Sequence, residues 1–291
     1  MKTKRALGDW ILDIFIAAVM VFALVATLFP IWHVLVASFS SPIAVSEGRV
    51  SFLPVELTFT SYEKVLQMEN IWTSYGNTIF YSFVGTAISM VLSVLGAYPL
   101  SKTRLRGRRF FAFIVTLTMW FGAGTMPTYL NMKNFGLLNS RLGVLLFAAV
   151  SAFNMILLRT YFESIPDSIE ESAKIDGASD FRILTTMYLP LSTAALMTVS
   201  MYYLVGRWNA YFWSSILLKD ENKIPVQVLL RKLIVEMNAT AEQGANLDYN
   251  TSSRETITYA IMVVATAPMI LVYPYVQKFF VKGVMVGAVK G

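Results

Sequence analysis

Few residues of this chain have the types and spacing needed for bond chemistry. It has no cysteine and one histidine, His33, so neither a thiolate site nor a multi-histidine metal site is expected. Glu170 and Glu171 are adjacent carboxylates, but neighbours on a helix point apart, and nothing beside them forms a substrate pocket for acid–base work. No Gly-x4-Gly-Lys-Ser/Thr phosphate loop occurs in the sequence. No catalytic residue, metal ligand or cofactor site is therefore nominated. Two other features stand out. Residues 164–190 are polar, with five acids between Asp167 and Asp180, and lie between two long apolar runs. Arg207 sits inside an apolar run, followed by Trp208, Asn209 and Tyr211. A polar helix flanked by spans suits gripping by a soluble partner. A cation within a span faces a cavity or a partner. Arg207, Trp208, Asn209 and Tyr211 are the candidate solute path, with stacking and hydrogen bonds from the last three. The alternative for Arg207 is an interhelical pair or a side chain reaching the outer interface.

The elements that position these residues follow from composition. Of 291 residues, 56% are hydrophobic and 14% charged, against about a quarter charged in soluble domains. Runs long enough to cross a bilayer, about 20 residues as helix, predict six spans: Ile11–Ser38, Asn77–Tyr98, Phe110–Tyr129, Leu142–Tyr161, Leu191–Leu218 and Thr256–Phe280. The first run is too long for a signal-peptide core and reads as a retained span. The net charge of +6 reports topology before it reports nucleic acid. Lys2, Lys4 and Arg5, the run Lys102 to Arg109, the segment after span four, and Lys278, Lys282 and Lys290 share one side. The positive-inside rule puts that side, and both termini, in the cytoplasm. The expected architecture is one all-α transmembrane domain over residues 1–291, with a cytoplasmic loop at 164–190.

Local signals subdivide that loop. Pro166 suits a first helical position, and Asp167, Glu170 and Glu171 favour the helix N-terminal dipole. Ile169, Ala173 and Ile175 give a modest apolar face, Gly177 ends the helix, and Ser179 or Asp180 caps a second one before Pro190.

Glu171-Ser172-Ala173, three residues, Gly177, nine residues, then Met187-Tyr-Leu189-Pro190 resembles the EAA loop of ABC importer permeases. Ser172 replaces the central Ala of that pattern and Met187 its Ile. Asp176-Gly177-Ala178 resembles the carbohydrate, maltose-type branch. Gly96 to Lys102, Met126-Pro127, Gly136 to Asn139, Trp208-Asn209 and the tail from Tyr273 to Gly283 resemble the same family. The tail is most similar to the subgroup importing complex oligosaccharides derived from polysaccharides.

The resemblance implies the type I permease fold. It implies a second related permease chain, two ATP-binding subunits carrying ATP and Mg, and an extracytoplasmic sugar-binding protein, in a bacterial cytoplasmic membrane. Glu170, Glu171, Ala173, Asp176, Gly177 and Ala178 would form the coupling helix on the ATPase. Arg207, where relatives are expected to carry a small, polar or histidine residue, points to acidic, uronate-containing oligosaccharides. The rivals are an ion-gradient-driven secondary transporter, which predicts acids inside spans at a broken helix, an integral-membrane enzyme, and a purely structural subunit.

Overall fold

The computed structural model describes residues 7–242 and 249–288, and no strand occurs among them. Lys2, Lys4, Arg5 and Lys290 lie outside the described residues. In chain order the helices are α1 (Leu7–Ser38), α2 (Pro42–Ser46), α3 (Thr60–Gln67), α4 (Glu69–Ser101), α5 (Arg108–Trp120), α6 (Thr125–Asn134), α7 (Arg141–Leu146) and α8 (Ala152–Glu163). They continue as α9 (Asp167–Ile175), α10 (Asp180–Ile183), a π-helical turn (Leu184–Tyr188), α11 (Leu189–Leu191), α12 (Thr193–Trp208), α13 (Phe212–Leu217), α14 (Val226–Glu242) and α15 (Tyr249–Ala288). The chain divides into two compact units, residues 1–68 with 232–266, and residues 69–231 with 267–291.

In the first unit, α1 is apolar on all sides, and its large side chains from Trp10 to Trp32 stay exposed within the chain. Only its last turns are packed: Val36 and Ala37 meet Ala44 and Val50, with Tyr259 against them. His33 lies beside the rings of Phe29 and Tyr259, a packed histidine.

The second unit is organised by α4. Ser74, Thr78, Ser82, Ser89, Ser93 and Ala97 recur at helical spacing and are all buried, while Phe80, Phe83, Val91 and Leu95 on the other faces are exposed. Small residues let helix backbones approach closely where water supplies no hydrophobic drive. This face therefore takes α8 and α12. Two of the hydroxyls on this face bond as follows: Thr78 donates to the Ser74 carbonyl at 2.8 Å, and Ser93 shares a 2.6 Å bond with the Tyr203 hydroxyl; Ser74 Oγ and Ser82 Oγ are buried without a partner among the described residues.

Three predicted spans are broken. Residues 110–129 divide where Phe121 to Gly124 leave the helix, and α5 and α6 meet at 117°; Gly124 there has φ 81°, open to glycine at little cost. Residues 142–161 divide into α7 and α8 at Phe147 to Ser151. Residues 191–218 bend by 85° at Ser192, near their start, α12 ends at Trp208, and α13 follows separately. Pro190 contributes at the bend because it offers no N–H to the preceding turn. The second span extends beyond its predicted ends to Glu69 and Ser101, and the sixth lies within α15. Among the described residues, three helices are long and apolar enough to cross a bilayer, or five if each bent pair is one span.

Because α4 faces its neighbours with small side chains, Ser89→Leu should destabilise the protein by about 1–3 kcal/mol through overpacking. Phe83→Ala, on the exposed face, should stay within about 0.5 kcal/mol. Thermal unfolding of the detergent-solubilised protein reads the difference, and equal effects would mean that the two faces are not distinguished by packing.

Candidate functional sites

The polar segment forms a helix with two different sides. Pro166 is extended, with φ −58° and ψ 135°, and α9 begins at Asp167, one residue later than Pro166 alone suggests. Ala173 is buried in a cluster with Ile183, Leu184 and Tyr188, and Ile169 packs against it. Glu170 lies on the same side and is 6% exposed. Glu171, Asp176 and Gly177 are exposed. Glu170 and Ala173 turn their side chains into their own chain. One sequence expectation is corrected here. Ile175 is 87% exposed and does not join the inner face, since two residues at 3.6 per turn place it about 160° round the helix from Ala173.

The end of α9 is a Schellman motif. Gly177 has φ +76°, its N–H donates to the Lys174 carbonyl at 3.0 Å, and the Ala178 N–H donates to the Ala173 carbonyl at 2.9 Å. Ala178 is half-buried against the same cluster as Ala173. Ser179 then caps α10, its hydroxyl accepting from the Arg182 N–H at 3.4 Å, and Phe181 projects outward, 70% exposed.

Buried carboxylates need partners, and Glu170 has several. Its oxygens lie 2.5 Å from Lys102 Nζ, 2.8 Å from Arg104 Nη1 and 2.6 Å from Lys174 Nζ. The Tyr188 hydroxyl donates to it at 3.3 Å; burial, and then the Glu170 charge, push that phenol above its ordinary pKa range. Lys102 is itself buried, with Nζ 3.6 Å from the Tyr188 ring centre and 4.6 Å from that of Tyr98. Arg104 also reaches Asp180 at 2.5 Å. The basic run after α4, read from sequence as a topology anchor, thus holds the polar segment. Tyr98 and Lys102, one turn apart at the end of α4, were the available signal.

Arg207 lies beside a cavity of about 510 Å³. The cavity is lined by Phe147, Ala148 and Ser151 from the break between α7 and α8, by Tyr203, Arg207, Asn209, Tyr211 and Trp213, and by Tyr81 of α4. Ala148 has φ +47°, a conformation that non-glycine residues seldom adopt. The Arg207 guanidinium donates to Ser89 Oγ at 2.9 Å and to the carbonyls of Leu145 at 3.1 Å and Val144 at 3.4 Å. These are end carbonyls of α7, which the broken helix leaves without partners. A cation at that end also suits the helix dipole. The cation both lines the cavity and makes the interhelical contact considered as its alternative. Gly85 makes room for it: a Cβ there would lie 2.5 Å from Arg207 Nη1. Of the other expected path residues, Asn209 and Tyr211 line the cavity, whereas Trp208 is buried away from it. The break and its aromatic rim were not anticipated from sequence.

Gly177→Ala should cost about 1 kcal/mol, because the left-handed turn is strained for any side chain, while leaving α9 assembled. Gly177→Pro forbids the turn and removes the bond to Lys174, so it should release the segment. Limited proteolysis between Ser164 and Pro190 would follow this, and equal resistance of the two variants would contradict it.

Comparison with known proteins places this geometry. The family described as binding-protein-dependent transport system inner membrane component matches residues 2–286. The chain is 40% identical over 275 residues, 94% of this chain and 95% of the relative, to the polygalacturonan/rhamnogalacturonan transport system permease protein YtcP of Bacillus subtilis (strain 168). It is 25% identical over 297 residues, covering all of both chains, to the arabinooligosaccharides transport system permease protein AraQ of Halalkalibacterium halodurans. A chain in the crystal structure of a bacterial ABC transporter involved in the import of the acidic polysaccharide alginate matches with TM-score 0.89 and 46% identity, over 96% of this chain and 100% of that one. A chain from a second alginate transporter structure shares the fold at TM-score 0.62 and 14% identity, over 92% and 93% of the two chains. A polar helix held on a basic helix end, and a bundle with an aromatic-lined cavity, are thus met in a chain that belongs to the binding-protein-dependent transport system inner membrane component family, the multi-pass permeases of ABC importers.

Proposed function

We propose that this chain is the permease for acidic, uronate-containing oligosaccharides derived from polysaccharides, in the cytoplasmic membrane of a bacterium. The observation that carries the reading is Arg207: a fixed cation in the wall of a cavity rimmed by Tyr81, Tyr203, Tyr211 and Trp213. Aromatic rings offer an apolar body with a polar handle to a sugar, and a cation favours a carboxylate over a neutral ring. The relatives named for polygalacturonan and alginate support the same class.

The chain works as one permease domain with six crossing segments and both termini in the cytoplasm, the broken helices at residues 110–134 and 141–163 each counting as one. Irregular backbone at membrane depth is tolerated where it lines a cavity or is buried in protein. A second permease chain completes the path, and an extracytoplasmic binding protein delivers the sugar. Because the ATPase is a separate subunit, two such subunits carry ATP and Mg, and one of them receives α9. The docking surface is the outward side: Glu171, Asp176 and Gly177, with Ile175 and Phe181 as apolar knobs. ATP binding closes the ATPase dimer, α9 moves, and the bundle rocks between outward- and inward-facing states. No bond of the sugar is made or broken. The secondary-transporter alternative would place acids at the helix breaks, but residues 121–124, 147–151 and 190–192 contain none.

The test is proteoliposomes containing the complete transporter and its binding protein. Oligogalacturonate or oligoalginate should stimulate ATP hydrolysis and uptake, and a neutral oligosaccharide of equal length should not. Stronger stimulation by the neutral sugar would reject the acidic class, and uptake abolished by ionophores with ATP present would favour the secondary transporter. Arg207→Ala should reduce uptake of the acidic sugar by about tenfold, equivalent to one charge-assisted bond. It should also lower stability by about 1–3 kcal/mol, since carbonyls of α7 lose their partner; unchanged uptake would remove Arg207 from the path.

A further inference from the structure

The contacts along α4 divide into three sets. At its Ser101 end, Tyr98 packs on Phe162 and Tyr188, and Lys102 just beyond it meets Glu170 of α9. In its middle, Ser93 bonds Tyr203, whose hydroxyl also accepts from the Ser151 N–H at 2.9 Å, and Ser89 bonds Arg207. At its other end, Asn77 donates to the carbonyls of Asn222 and Ile224 at 2.8 and 3.2 Å, Thr78 accepts from the Val226 N–H at 2.8 Å, and Tyr81 donates to the Lys223 carbonyl at 2.8 Å. Tyr81, Ser151, Tyr203 and Arg207 belong to the cavity wall. One helix of 33 residues therefore runs from the polar segment to the cavity wall.

We propose that Lys102 is a positioning residue of the transport cycle. Its buried pair with Glu170 locks α9 to α4, so that α4 is the connecting rod delivering movement of α9 to the cavity. This rests on the reading of α9 as the element that meets the ATPase. The reason is electrostatic. Both side chains are less than a tenth exposed, and separating them would leave two charges where neither can be hydrated. The exposed members of the cluster, Arg104 and Lys174, could follow Glu170 or exchange it for water, and Asp180 is exposed as well. Lys102 cannot: the Tyr98 and Tyr188 rings lie against its ammonium. It is the one buried cation of the cluster, and it belongs to the end of α4 rather than to the polar segment. A hinge between α9 and α4 is thus closed, and rigid movement of the two is the available response to a push on α9.

The experiment uses the complete reconstituted transporter and reads sugar moved per ATP hydrolysed. Lys102→Met keeps the length and removes the charge. It should lower sugar per ATP by about tenfold, within the usual range of coupling energies, while hydrolysis continues. Lys102→Arg should restore most of the ratio. Tyr188→Phe, which removes only a hydroxyl from the cluster, should give an intermediate loss and serves if Lys102→Met does not assemble. A proportional fall of complex yield, hydrolysis and transport, with an unchanged ratio in both Lys102→Met and Tyr188→Phe, would make the pair merely structural and overturn the proposal. Failure of the underlying reading is separable. In that case Ile175→Glu, on the opposite face of α9, would leave copurification of the ATPase and its hydrolysis unaltered.

Discussion

Hydrocarbon offers no hydrogen bond to a stray polar group, and the second unit is built around that constraint. Each departure from regular helix in an apolar run must bring its own partner. Where the chain breaks between α7 and α8, the exposed carbonyls of Val144 and Leu145 receive the Arg207 guanidinium. Where the chain bends after α11, Thr193 bonds the Pro190 carbonyl at 2.6 Å. Outside the apolar runs, burial by the protein itself makes the same demand, and three cations stand against Glu170. The small face of α4 meets the same constraint by bringing partners within reach: Ser89 and Ser93 bond across to α12 because no bulky side chain holds the helices apart.

This arrangement divides labour within a few residues. On α9 the inner side fixes the helix to its own chain and the outer side remains free, so adjacent carboxylates have opposite assignments. Glu170 is buried among cations, and Glu171 is exposed. On α12, Arg207 completes a neighbouring helix while lining the cavity, so the residue proposed for the solute path is also a structural one. Substrate preference and bundle integrity are then expected to change together when Arg207 is replaced.

The parts of the fold legible in sequence were those set by local chemistry. Gly177 terminates α9 because a left-handed turn excludes side chains, and Ser179 caps α10 because its hydroxyl reaches the Arg182 N–H. The spacing from Glu171 through Gly177 to Pro190 located the segment. The breaks at Phe121 and Phe147 were hidden because the flanking residues are apolar on both sides, and hydropathy measures length rather than direction. The inward turn of Glu170 was hidden because its partner Lys102 lies 68 residues away. Ile175 was misassigned by counting apolar residues without following their angle. The cavity could be placed only by Arg207, since its rim comes from segments that meet only in three dimensions.

The π-helical turn at Leu184–Tyr188 closes with the Leu189 N–H bonded to the Leu184 carbonyl, five residues back. Such a turn accommodates one more residue than an α-helical turn. The stretch between Gly177 and Pro190 therefore works as a phase adjustment. Losing one residue would return it to α-helix and turn α9 by about 100° about the axis leading to α11, carrying Glu170 away from Lys102 and presenting another face outward. The interval from Gly177 to Pro190 is in this sense an angular setting, and it fixes the number of residues there more strictly than their identity.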